Sequence, residues 1–344
     1  MAYISFQPHD YFNTKLYTGT GSSNAITGVG FQPDMCWWKM RSGTEEHALG
    51  DAVRGAGYIV KPNSSDEQAQ SASYFASFDS DGFTLGSDDK TNKNTSTYAS
   101  WNWKANGAGS SNTDGSITST VSASTTSGFS VVKWTGSGGN ATIGHGLGVV
   151  PKMIIIKSLA NTTSWMVYTS MTGNNSEIAL NTTAAATASS TAWQDTDPTS
   201  SVFYVAGGGG DGVNASGDYV AYCFAEKKGF SKFGSYTGNG NADGSFIYTG
   251  FKPAFVLIKD SGRAESWYIF DNRRLGYNGA MADLIANTTA AESSSSATLL
   301  DFVSNGFKLR GTTDHLNGNG QNFLYMAFAE EPLVSSNGVP AVAR

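Results

Sequence analysis

The stretch YTGFKPAFVLIKDSGRAESW, residues 248–267, decides how this chain is read. A glycine-aromatic turn leads into a proline, an unbroken apolar run, a lysine and a tryptophan. Two earlier stretches share the layout: GFQPDMCWWKMRSGTEEH at 30–47 and GVVPKMIIIKSLANTTSW at 148–165. They overlay without gaps from proline to lysine, so Pro33, Pro151 and Pro253 coincide, as do Lys39, Lys157 and Lys259. A short continuous apolar run bounded by turn residues reads as a strand buried on both faces. In the overlay Trp37 and Trp38 fall on Ile155-Ile156 and Leu257-Ile258, so both are core residues and not platforms for a ligand.

Other landmarks keep the same order. An aromatic-Thr-Gly triplet lies upstream at Tyr17, Trp134 and Tyr236. A Phe-centred strand lies downstream in GFTLG (82–86), VFYVAG (202–207) and GFKLRG (306–311). Each copy closes on an aromatic-rich strand: YASWNWKA (98–105), YVAYCFAE (219–226) and FLYMAFAE (323–330). Four landmarks repeated three times in one order indicate internal duplication. The proline spacings, 118 and 102 residues, are those of whole domains rather than solenoid units. The reading is an N-terminal arm (1–9), three modules (10–126, 127–229 and 230–331) and a C-terminal arm (332–344). Each module is large enough for its own core, and the reading leaves stacking between modules open.

Forty-one glycines, a charged fraction of only 15%, and runs rich in Val, Ile, Phe, Tyr and Trp set the class. Such residues fit a pleated, half-buried surface. The expected fold is all-β: three tandem β-sandwiches of jelly-roll or concanavalin-like type. AMADLIANTTAAE (280–292) is the best candidate for a short helix.

A net charge of −6 lacks the basic footprint of a nucleic-acid binder. No apolar run approaches the roughly 18 residues of a membrane span. The N-terminus lacks the pattern of a secretory signal, so the chain is expected to fold in a cytoplasm. Cys36 and Cys223 read as buried free thiols, not a disulfide framework. The four histidines form no metal-binding pair, and no nucleophile elbow or phosphate loop occurs. No cofactor is expected.

The candidate sites are few. DSDG (79–82) looks like the start of a calcium loop, with Asp79 and Asp81 as possible ligands, but the later ligands are missing. The third copy reads VSNG (303–306), which keeps a turn and loses the carboxylates. After the lysine strand, Asp51 falls opposite Asp271 and Arg54 near Arg273 and Arg274, while the middle copy has Thr169 and Thr172. Asp and Arg three residues apart can pair across a turn; the alternative is a ligand contact through the planar guanidinium. Trp193, Tyr58 and Tyr277 are the aromatics expected on variable loops.

YFNTKLYTGTGSSNAITGVGFQPDMCWWK, DAVRGA, SFDSDGFTLGS and YASWNWKANG resemble a repeat family among the virion structural proteins of marine tailed bacteriophages. The ending FAEEPLVSSNGVPAVAR is similar to that family's C-terminus. The resemblance implies a virion protein assembled in a host cytoplasm: a tail fibre, appendage or surface adhesin with lectin-like sandwiches and no catalytic residues. It implies partners among other virion proteins and a host-surface glycan, with weak sites strengthened by multivalency. A capsid-decoration role is the alternative, and a polysaccharide-degrading enzyme a second. The apolar residues of MAYISFQPHDY (1–11) and the core-poor tail suggest arms that join a homo-oligomer, such as a trimer.

Overall fold

The computed structural model describes residues 6–190, 192–207, 213–274, 278, 282–293 and 299–329. Strands dominate these residues and the protein is all-β. Among the described residues no helix is long and apolar enough to cross a membrane.

One antiparallel strand order occurs three times. In the first unit it runs Phe12–Thr18, Thr97–Trp103, Met35–Met40, Ala48–Asp51. In the second it runs Phe129–Gly136, Gly217–Phe224, Met153–Ser158, Met166–Thr169. In the third it runs Ser231–Thr237, Asn322–Ala329, Pro253–Asp260, Trp267–Asp271. We call these the opening, closing, proline and fourth strands. A smaller sheet covers the outer side of each. Its strands are Asn24–Thr27, Gly82–Leu85 and Phe75–Asp79 in the first unit, and Ala141–Gly144 with Val202–Val205 in the second. In the third they are Phe246–Tyr248, Gly306–Leu309 and Leu300–Val303. The prolines sit at or two residues before the start of their strands, where a missing N–H costs no ladder bond.

The alternation of each proline strand explains why it is apolar on both faces. Cys36 and Trp38, Ile154 and Ile156, and Val256 and Ile258 face the outer sheet of their own unit. Met35 and Trp37, Met153 and Ile155, and Phe255 and Leu257 enter a single core shared by all three units. The closing strands meet at its centre. Trp103, Phe224 and Phe328 hold matching registers against Met35, Met153 and Phe255. Their rings form a triangle with centroid separations of 6.3, 5.6 and 5.9 Å. Trp37 and Trp38 are both buried, the first in this central core and the second within its own sandwich.

Two expectations are corrected. Ser119–Ser124, assigned above to the first module, pairs with the opening strand of the second sheet, and Ser110–Asn112 pairs with Ser119–Ser124 in turn, so that sheet begins well before residue 127. The short glycine-containing turn after Ser124 makes Ser119–Ser124 and Phe129–Gly136 a local hairpin. The segment expected to be helical instead contributes a short strand, Leu284–Ile285, at the third sheet's edge; Ala280 and Met281 lie outside the described residues. Phe6 of the N-terminal arm packs edge-on against Tyr11 and Phe230, at 5.1 and 5.3 Å. Residues 1–5 and the C-terminal arm lie outside the described residues.

Candidate functional site

The chemically distinctive side chains collect at the three seams between units. Lys39, Lys157 and Lys259 follow the inward residues of their proline strands and are buried. An ammonium group has three protons to donate, and once buried it has to place them on protein acceptors. Each reaches backbone carbonyls across a seam: Lys39 donates to Thr289 O (3.2 Å), Lys157 to Ser65 O (3.1 Å) and Lys259 to Thr183 O (3.2 Å). Further bonds go to Met40 O, Asn161 O, and Asp260 O and Arg263 O, within their own units. Burial still lowers all three pKa values to about 8.

The acceptors belong to one recurring loop. Its sequence is NSS at residues 63–65, NTT at 181–183 and NTT at 287–289. Its asparagine side chain accepts the backbone N–H of His47, Trp165 or Trp267 in the same unit, at 2.8–2.9 Å. Two residues before each asparagine, a carbonyl receives the ring N–H of the neighbouring unit. Trp165 donates to Lys61 O at 2.9 Å and Trp267 to Ala179 O at 3.0 Å. His47 performs the same task toward Ile285 O at 3.0 Å. The Trp37 indole can only donate, and it lies 2.8 Å from His47 Nδ1, so the imidazole proton sits on Nε2. Burial, reinforced by Lys39, pushes the His47 pKa well below its ordinary value and keeps the ring neutral. Histidine at a tryptophan position therefore preserves the contact.

The Asp–Arg pairs lie at the same seams. Arg54 Nε is 2.5 Å from Asp51 and Arg274 Nε is 2.6 Å from Asp271, with all four groups buried. Asp51 also accepts the Tyr222 hydroxyl of the second unit at 2.8 Å. Asp271 accepts the Trp101 indole N–H of the first unit at 3.0 Å. In the third unit the register position of Trp101 and Tyr222 is held by Met326, which has no strong donor. The strand that would face it, in the second unit, carries buried Thr169 in place of an aspartate. The ion pair thus accompanies a polar partner across the seam.

The seams differ at their outer ends. A backbone bond joins Gln68 N to Leu159 O, Ala186 N to Ser261 O and Glu292 N to Arg41 O, marking matched positions. Between the third and first units, Arg41 clamps Glu292 through both guanidinium arms at 2.8 and 2.9 Å, and Arg274 joins at 3.3 Å. Between the first and second units, Leu159 and Gln68 hold the corresponding places. Here a cleft of about 370 Å³ opens, lined by Arg54, Tyr58, Gln68, Leu159, Lys133 and Asp218 among others.

The remaining candidates are dispersed. Trp193 is buried, donates to Ser176 O at 3.0 Å and packs edge-on against Tyr168. Arg273 is exposed beside the buried Arg274. Tyr277 lies outside the described residues. Asp79 accepts hydroxyls from Ser77 and Thr84 at 2.7 Å. Asp81 accepts the backbone N–H groups of Gly28 and Gly30, which lower its pKa. Both aspartates brace a hairpin, and among the described residues no group of three His, Cys, Asp or Glu side chains could hold a metal ion. Among the described residues the exposed aromatics are elsewhere: Phe246 and Tyr248 are 48% and 59% exposed on the third unit's outer sheet. Ala25 and Thr27, and Thr142 and Gly144, occupy their positions in the other units. Reading FIY against AIT and TIG at the matching positions of the three units would have singled them out.

Fold and seams together define an all-β protein of three sheet pairs keyed around one core. Residues 7–332 match the family described as Domain of unknown function (DUF7483), and the chain belongs to that family. No curated protein and no solved structure matches it.

Proposed function

We propose that this protein is a non-enzymatic structural component of a tailed-bacteriophage virion, a tail fibre or surface appendage that contacts a host-surface glycan. The observation that carries this reading is the commitment of the buried lysines, His47 and both Asp–Arg pairs to bonds between units. Chemistry-bearing side chains held this way build a rigid body and leave recognition to its outer surfaces. Phe246 and Tyr248 supply one such surface, because aromatic rings with polar surroundings suit contact faces. The matching strand order, seam bonds and sequence landmarks favour an origin of the three units by tandem duplication. Several copies in a homo-oligomer on one particle would multiply weak contacts.

Immunogold electron microscopy of particles from the phage that encodes the chain tests the reading. Label on a fibre or appendage is the expected result. Label spread over the capsid would favour decoration, and particles lacking the chain would overturn the virion role.

A further inference from the structure

We propose that the cleft between the first and second units is a binding site for a short, neutral saccharide. The inference deepens the glycan-attachment reading and rests on it. Its basis is the difference between matched seams. Where the third unit meets the first, the Arg41–Glu292 clamp occupies the outer end. Where the first meets the second, Leu159 and Gln68 cannot form a clamp. Arg54 Nη1 has only a 3.4 Å contact with Gln68 Oε1 in that direction. The 370 Å³ left open lies in the range of roughly 300–1,000 Å³ usual for small-molecule sites.

The lining selects the ligand class. The charged groups are already matched: Arg54 with Asp51, and Lys133 with Asp218 at 2.8 Å. A charged ligand would therefore have to displace an existing ion pair. Gln68 and the Tyr58 hydroxyl can both donate and accept, Lys133 donates and Asp218 accepts. Val53, Leu159 and the Tyr58 ring supply apolar wall. Hydroxyls that donate and accept around a ring with an apolar C–H face match this mixture. Tyr58 and Gln68 come from paired neighbouring strand and loop of the first unit, while Lys133 and Asp218 come from the opening and closing strands of the second. The site exists only because the two units are locked together.

The test uses the full-length protein on an array of neutral and acidic bacterial-surface oligosaccharides, with calorimetric titration of the strongest binder. The double variant Leu159→Arg/Gln68→Glu copies the clamp of the other seam into the cleft. It should keep the native melting temperature or raise it, and weaken neutral-glycan binding at least ten-fold. The milder Gln68→Ala/Asp218→Asn variant, which leaves the shared core untouched, should also weaken binding ten-fold. Lys93→Ala, an exposed side chain of the first unit outside the cleft, should stay within two-fold of native. Undiminished binding by both cleft variants, or loss only in Phe246→Ser/Tyr248→Ser, would overturn the cleft while leaving glycan attachment standing. Binding confined to acidic glycans would overturn the ligand class. Absence of any glycan binding by the native chain would overturn this site and the attachment reading together.

Discussion

Asp271 takes bonds from the backbone N–H groups of Arg273 and Arg274, from Arg274 Nε and from Trp101 across the seam. Deleting its carboxylate leaves the buried Arg274 guanidinium only the more distant Glu292 at 3.3 Å, and deleting that of Asp51 leaves Arg54 without its counter-charge. Breaking a buried pair in this way costs about 3–5 kcal/mol. Asp271→Ala and Asp51→Ala should therefore each destabilise by that amount in urea titrations. Thr169→Ala, at the seam where threonine replaces the aspartate, removes only neutral bonds and should cost about 1 kcal/mol. Equal losses at all three positions would show that the ion pairs do not key the seams. The lysines make a second prediction, on pH. Burial lowers their folded pKa to about 8 from an ordinary value of 10.5. Between these values the unfolded chain holds more protons, so stability rises as pH increases through the window. The gain should be on the order of 1 kcal/mol per lysine. Tyr17, Tyr222 and Tyr236, held well above 10 by burial, reverse the trend once unfolded tyrosines ionise. Urea midpoints should climb from pH 8 toward 9.5 and fall beyond 10, and Lys157→Met should flatten the rise. A flat profile in the native chain would contradict the assigned burial cost.

At the scale of elements, the proline, Phe-centred and closing strands were legible because apolar runs and their turns recur in order. The recurring asparagine loop was not, since NSS and NTT look like ordinary linker until a buried lysine is seen to need their carbonyls. Nor could the Asp–Arg pairs be assigned to seams, because their partners Tyr222 and Trp101 lie about 170 residues away in sequence. The outer hairpins carry a constraint that sequence shows only as a glycine. A Cβ on Gly306 would sit 2.0 Å from Ile247 O, and one on Gly82 would sit 2.0 Å from Ile26 O. No side-chain rotation relieves a clash with backbone, so Gly306→Ala should cost roughly 1–3 kcal/mol by forcing the strands apart. Phe246→Ser and Tyr248→Ser, on the exposed face of the partner strand, should stay within about 0.5 kcal/mol. Thermal melts of the three variants check both statements. A Gly306→Ala melt matching native would mean that the hairpin shifts freely.

For the whole molecule, the structure decides between the separate cores and the stacking that the sequence reading left open: the three units do not each own a complete core. The inner face of the second sheet carries Phe129, Val131, Met153, Ile155, Val167, Val220, Tyr222 and Phe224, all within the shared cluster. Fully burying a large apolar side chain contributes about 1.5–3 kcal/mol. Exposing these eight would therefore forfeit roughly 12–24 kcal/mol on the same scale. A typical domain has only about 5–15 kcal/mol to lose. A fragment of residues 105–229 retains its outer sandwich, with Trp134, Ile154, Ile156 and Phe203, but that cluster would have to stabilise the sheet alone. It would also strand Lys157 and Trp165 without the carbonyls of the first unit's loop. The fragment should lack dispersed amide resonances and near-ultraviolet circular dichroism, while the full chain should unfold in one calorimetric transition with matching calorimetric and van't Hoff enthalpies. Three separate transitions, or a well-dispersed fragment spectrum, would mean that the units are autonomous and that the aromatic triangle is mere contact. A single transition would instead tie the integrity of the inter-unit cleft to the folding of the whole chain, so that any ligand held there by two units would raise the melting temperature of all three.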